Sequence, residues 1–188
     1  MPQAACGRTG KMRHTVPTAS LRTVIRMKPF PVSPAPAGAA AACALCQTAG
    51  GTTVWRGSDF RLVRAAEPAL PAFYRVIWQQ HVAEFTDLTA LQRLSCIDAV
   101  VLVEQTLRAQ MQPDKINLGS LGNVVPHLHW HMVARWQWDA FWPQSPWSAP
   151  QRPVDDARLQ KVREHLPALD EAMQHAFAAR FGASRPEP

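Results

Sequence analysis

Apolar positions along the chain change their period several times, and those changes mark out the elements. Met1 to about Ala40 is rich in Pro, Ala, Ser and Thr and keeps no sustained period. Such a stretch buries too little apolar surface to offset the entropy of ordering, so residues 1–40 read as a disordered tail. Order is expected from near Cys43. Thr52 to Arg56 and Phe60 to Ala65 read as two short strands parted by the turn residues Gly57, Ser58 and Asp59. After a proline-marked loop, Phe73 to Trp78 (FYRVIW) is a third strand of aromatic and β-branched residues. Helical spacing follows, capped by Thr86 or Asp87 and ended by Pro113, with Leu91, Leu94, Ile97, Val101 and Leu107 as its expected inner face. Lys115 to Leu118 and Val124 to Arg135 are the fourth and fifth strands, and Asp155 to Phe181 is a second, more polar helix. The order predicts an α+β domain, a five-stranded antiparallel sheet with two helices. Residues 41–150 form its body and 151–188 a C-terminal helix and tail.

Charge changes the picture less than the total implies. The net charge is +6, yet no Asp or Glu precedes Asp59 while seven Lys or Arg do. From Asp59 onward 13 basic and 14 acidic residues nearly cancel. A nucleic-acid groove needs a basic patch on the folded part, so nucleic acid is not expected as a partner. No apolar run reaches the ~20 residues of a membrane-spanning helix, so no membrane is expected either. The N-terminus lacks a hydrophobic signal core, and the expected compartment is cytoplasmic; the Arg-rich, acid-free leader is also the composition of an organellar transit peptide.

The chemistry is concentrated in GNVVPHLHWHMVAR, Gly122 to Arg135. A strand points alternate side chains to opposite faces, which would put His127, His129 and His131 in one row and Leu128, Trp130 and Met132 in the core. Imidazoles are costly to bury without partners, so three in a row point to a site rather than to packing. Just upstream, Asn117 and the loop Gly119-Ser120-Leu121-Gly122-Asn123 bring small residues and amides beside the histidines. Glycines let backbone N–H groups approach an anion closely, and a neutral imidazole is a competent nucleophile toward a phosphate held there. Separately, Cys43-Ala44-Leu45-Cys46 is a C-x-x-C pair, for which a redox motif, a zinc half-site and coincidence are all open readings. The absence of a thioredoxin-like pattern argues against redox, and His81 with His127 could complete a Cys₂His₂ tetrahedron.

The His127-x-His129-x-His131 strand resembles the signature of the histidine triad (HIT) superfamily, and the resemblance extends less sharply over Cys43 to Trp147. It implies a nucleotidyl hydrolase or transferase acting on a nucleoside phosphate anhydride, a dinucleoside polyphosphate or a phosphoramidate. His129 would be the covalent nucleophile, and His131 would bind phosphate or support the leaving group. Asn117, Gly122 and Asn123 would lie at the phosphate. Members commonly pair as homodimers that join two five-stranded sheets into one of ten strands. Some branches hold structural zinc through residues matching Cys43, Cys46, His81 and His127, with no catalytic metal. The sequence also departs from the pattern: Phe73 stands where many members have a histidine, and Trp78-Gln79-Gln80 replace a proline and two basic residues. For the acidic residue that often holds the ribose, Glu67 is only the nearest candidate. These departures keep a second expectation open, a zinc-braced nucleotide-binding or regulatory protein with little turnover.

Overall fold

The computed structural model describes residues 39–186, so the tail expected over 1–40, Cys6 included, lies almost wholly outside the described residues. Two single-turn helices, α1 (Ala39–Ala42) and α2 (Ala44–Gln47), carry the C-x-x-C pair. Then come β1 (Thr52–Arg56), β2 (Phe60–Arg64), β3 (Phe73–Trp78), a 3₁₀ turn over Phe85–Asp87, α3 (Ala90–Met111), β4 (Lys115–Gly119), β5 (His129–Arg135) and α4 (Asp156–Phe181). The strands form one antiparallel sheet in the order β1-β2-β3-β5-β4. This is the expected α+β class, with α3 and α4 on one face of the sheet and the histidines on the other. Among the described residues, no helix is long and apolar enough to cross a membrane.

Three boundaries differ from the sequence reading, each for a local reason. Thr89, not Thr86 or Asp87, caps α3, its hydroxyl accepting from the Gln92 N–H while the Gln92 side chain accepts from the Thr89 N–H. At the other end Gln112 adopts a left-handed conformation (φ 45°), so the helix ends at Met111, two residues before Pro113. The fifth strand begins at His129 and not at Val124. Pro126 has no N–H to give a ladder, and the His127 N–H closes a tight turn on Val125 O at 2.8 Å.

The inner face of α3 is a clear correction. Cys96, Ala99, Val100, Val103 and Leu107 are buried against the sheet, while Leu91 and Leu94 are 79% and 65% exposed and Ile97 and Val101 are also exposed. This helix is apolar on more than one side, so its period alone does not choose a face. Close packing chooses it instead, because small Cys96 and Ala99 let the helix axis approach the strands.

Helix α4 is polar in composition, yet Leu159, Val162, Leu166, Leu169, Met173 and Phe177 make an unbroken buried stripe along it. The stripe closes the main core over Trp55, Phe60, Leu62, Tyr74 and Trp78. Asp170 pins the helix to the sheet, accepting from Tyr74 Oη at 2.6 Å and from Arg64 Nε at 3.0 Å. Past the helix, Arg56 N–H reaches Ser184 Oγ and Arg185 N–H reaches Arg56 O, covering the β1 edge. On β1 a bulge between Thr53 and Trp55 allows Val54 and Trp55 both to be buried.

Candidate functional site

Period-2 alternation along β5 sends Met132 and Ala134 into the helix-side core and leaves His129, His131, Val133 and Arg135 on the opposite face. Across the ladder, β3 presents Phe73, Arg75 and Ile77, with Arg75 opposite His131 and Ile77 opposite His129. His129 and His131 line a cavity of about 410 Å³ together with Arg75, Gly122, Asn123 and Trp147. The two imidazoles sit edge-to-face with ring centroids 4.6 Å apart, and Phe73 and Trp147 meet His131 edge-on at 5.4 and 5.1 Å. Phe73 thus packs where the family pattern has a histidine.

His127 leaves the row. Its tight turn carries the ring away from the cavity and toward α2, where Nδ1 lies 3.4 Å from both Cys43 Sγ and Cys46 Sγ. His81 Nδ1 is 3.4 Å from Cys46 Sγ, and the four ligand atoms of Cys43, Cys46, His81 and His127 all lie within 4.8 Å of one another. Donors on a tetrahedral zinc at ordinary bond lengths are separated by ~3.3–3.8 Å, so this cluster is compatible with one. On its other side the His127 ring has its Nε2–H donating to Trp78 O at 2.6 Å, which leaves the Nδ1 lone pair for the thiol side. The same residue's carbonyl accepts from His129 Nδ1–H at 2.6 Å, so Nε2 of His129 carries the lone pair.

Electrostatics keep these rings neutral. Burial lowers the His129 pKa and Arg75 adds to the effect, against an opposing pull from the hydrogen bond to His127 O. Burial, then His129 and Arg75, push His131 down to about 3. Its Nδ1 is buried with no hydrogen-bond partner among the described residues.

The remaining expected residues divide. Gly122 (φ 67°) and Asn123 line the cavity, the glycine in a left-handed conformation that a side chain would strain. Their loop is tied to β5 by Ser120 Oγ donating to His129 O at 2.8 Å. Asn117 lies outside this cavity, on β4, where its carboxamide oxygen accepts from Arg135 Nη1 at 2.6 Å. Arg135 is itself buried in a two-bond pair with Asp139 at 2.7 and 3.0 Å, so it belongs to the scaffold behind the site. Glu67, the nearest candidate for the ribose acid, lies 3.7 Å from Arg75 Nη2.

Two arginines were not singled out from the sequence. Arg61 is 3% exposed and donates to Leu45 O, Thr48 O, Ala49 O and Gln79 Oε1 at 2.6, 3.2, 2.9 and 2.9 Å, stapling the C-x-x-C segment to β2. Gln79, one of the residues departing from the family pattern, is thereby a partner of that staple. Arg75 stands among the histidines. The only signal for either was a cation inside an apolar strand, a pattern a solvated edge also gives.

Residues 50–137 match the family model of the HIT domain. Among solved structures, the chain is similar to a histidine triad protein from Bradyrhizobium japonicum, at 26% identity over 65% of this chain and 91% of that one, with a TM-score of 0.53. A histidine triad protein from Sinorhizobium meliloti 1021 (22% identity, 68% and 90% covered, TM-score 0.54) and one from Marinobacter aquaeolei VT8 (22%, 66% and 92%, TM-score 0.53) share the fold. A comparison with curated proteins finds no match. The matched segment holds the three histidines of β5 and its approach but neither Cys43, Cys46 nor α4.

A neutral, buried His131 takes up a proton on unfolding at mildly acidic pH. Its folded-state pKa lies below the unfolded value of about 6.5, so its stabilising contribution is present above that value and is lost as pH falls toward 3. Chemical denaturation is expected to show stability declining from pH 6.5 to 4. His131→Leu should flatten that decline by up to ~1.4 kcal/mol per pH unit. An unchanged slope would mean that His131 is already protonated in the fold.

Proposed function

Because residues 50–137 match the histidine triad domain, we propose that this protein cleaves or transfers a nucleotidyl group through a covalent nucleotidyl-histidine. Its substrate would be a nucleoside phosphate anhydride, a dinucleoside polyphosphate or a phosphoramidate. One observation carries the reading: the 2.6 Å bond from His129 Nδ1–H to His127 O, which leaves the lone pair on Nε2 of a neutral ring in a cavity wall. In the first step Nε2 attacks phosphorus, forming an N–P bond as the bond to the leaving group breaks. The leaving group departs with that electron pair and takes a proton from water. In the second step water displaces Nε2, or another acceptor does so in transfer, and the ring regains its lone pair. His131 contacts the phosphate or leaving group, and Gly122 and Asn123 line the phosphate side of the cavity, while Asn117 stands outside it on β4, bonded to Arg135.

The second reading, a nucleotide-binding or regulatory protein with little turnover, is favoured by Phe73 in place of the outer histidine and by the engagement of Glu67 with Arg75. In both readings Cys43, Cys46, His81 and His127 hold structural zinc. With four protein ligands the ion has no open position for water, and it braces α2 against the approach to β5. A homodimer is part of the proposal. The exposed stripe Leu91, Leu94, Ile97 and Val101 and the unpaired edge of β4, with exposed Leu118, are the apolar surface and the open hydrogen-bonding edge that a two-fold pairing of sheets would cover.

Brief mixing with adenosine 5′-phosphoramidate, followed by intact mass spectrometry, is expected to show an acid-labile adenylyl adduct in the wild type and none in His129→Ala. Measurable nucleotide binding with neither adduct nor turnover would replace the first reading by the second. Elemental analysis should find one zinc per chain, and Cys43→Ser should lose it together with thermal stability; metal-free wild type of unchanged stability would remove zinc from the proposal. Sedimentation should give a dimer that Leu94→Glu dissociates, and a wild-type monomer at micromolar concentration would remove the pairing.

A further inference from the structure

Among the residues lining the histidine cavity, Arg75 is the one with a permanent charge. Its side chain is largely withdrawn from water, and its five donors are poorly used. Nη1 reaches Gly50 O at 3.3 Å, Nη2 stands 3.7 Å from Glu67 Oε1, and Nε is buried with no partner among the described residues. A guanidinium stays protonated, and one that is only 23% exposed is costly to leave partly unsatisfied, so it is normally found where planar anion recognition uses it. Strand register places Arg75 opposite His131 and two residues from Ile77, the partner of His129, on the face both imidazoles share. The imidazoles are neutral and Phe73 contributes no charge. The other lining residues, including Leu121, Val124 and Val125, are uncharged as well.

Resting on the nucleotidyl reading of the site, we infer that Arg75 is the phosphate anchor of this pocket, its guanidinium donating to non-bridging oxygens of the phosphoryl group that His129 attacks. Glu67, half-exposed at the end of its loop, is the counter-ion of the unliganded state. A bound phosphate takes over the donors that Glu67 engages only at long range, and the carboxylate swings to solvent. Positive charge thus reaches the reacting phosphorus from the middle of β3, while the histidines keep their lone pairs. An imidazolium doing the same work would give up its nucleophilicity.

The test is calorimetric binding of AMP, adenosine and inorganic phosphate to the wild type, Arg75→Met, Arg75→Lys and Glu67→Gln, with thermal melts confirming that each variant is folded. Methionine keeps the apolar stem of the arginine and removes the charge. Arg75→Met should weaken AMP binding by about 10- to 100-fold, the range for a lost charge-assisted hydrogen bond, and change adenosine binding by less than about 2-fold. Arg75→Lys should retain part of the AMP affinity, and Glu67→Gln should raise it by about 2- to 5-fold, as expected for removing a partly exposed competing carboxylate. Equal losses for AMP and adenosine in Arg75→Met, or no loss for AMP, would overturn the anchor. So would an Arg75→Met that does not fold combined with an Arg75→Lys that binds AMP no differently from wild type. If the wild type binds neither AMP nor adenosine, the nucleotide reading of the site fails. The anchor then stands if inorganic phosphate binds the wild type and not Arg75→Met, and falls if phosphate binds neither.

Discussion

His127 is held at three points, and the rest of the site is arranged around that one residue. Its Nδ1 faces Cys43 and Cys46, its Nε2–H is spent on Trp78 O, and its carbonyl takes the Nδ1–H of His129. The first contact joins the segment before the sheet to the strand that bears the chemistry. The second assigns the tautomer that leaves a lone pair for the cysteines, and the third assigns the tautomer of the cavity histidine two residues on. Disturbing one attachment therefore reaches both sites, since the residue that closes the Cys/His cluster also orients His129. Arg61 protects the arrangement from behind by satisfying three backbone carbonyls of a segment too short to form a stable helix of its own.

The cavity works with an uneven distribution of charge. Its imidazoles are buried and held neutral, which suits a nucleophile and leaves the cavity residues of β5 without a charge to balance an anion. The compensating cation stands on a different strand, fixed by register rather than by proximity in sequence. The same arginine helps lower the pKa of both histidines from across the strand pairing. Phe73 and Trp147 pack edge-on beside His131, whose ring is buried.

Much of this was legible in the sequence where one pattern had one meaning. Strands β1 to β4 lie within a residue of their expected limits, because alternating apolar residues bounded by turn signals have few other solutions. The alternating histidines and the glycine loop marked the cavity for the same reason. Legibility ended where several patterns overlapped. Helix α3 carries apolar residues on opposing sides, and only the depth of the sheet groove decides that Cys96 and Ala99 go in while Leu91 and Leu94 stay out. His127 looked like a member of the strand row until the tight turn at Pro126 removed it. Arg61 and Arg75 could not be told from solvated strand positions without knowing which face is covered, and the approach of Cys43 and Cys46 to His81 depends on tertiary closure over 35 or more residues.

Helix α4 follows every strand it covers. During synthesis the sheet is complete once Arg135 has emerged, yet Trp55 and Phe60 lack their ring contacts to Phe177 until it arrives some forty residues later. Over that interval the nascent chain displays a wide aromatic surface beside an uncovered β1 edge, the kind of surface that sticks to other nascent chains or to holdase chaperones. Ribosome pausing or premature termination between Arg135 and Leu159 would thus be expected to yield aggregated material rather than a smaller working domain.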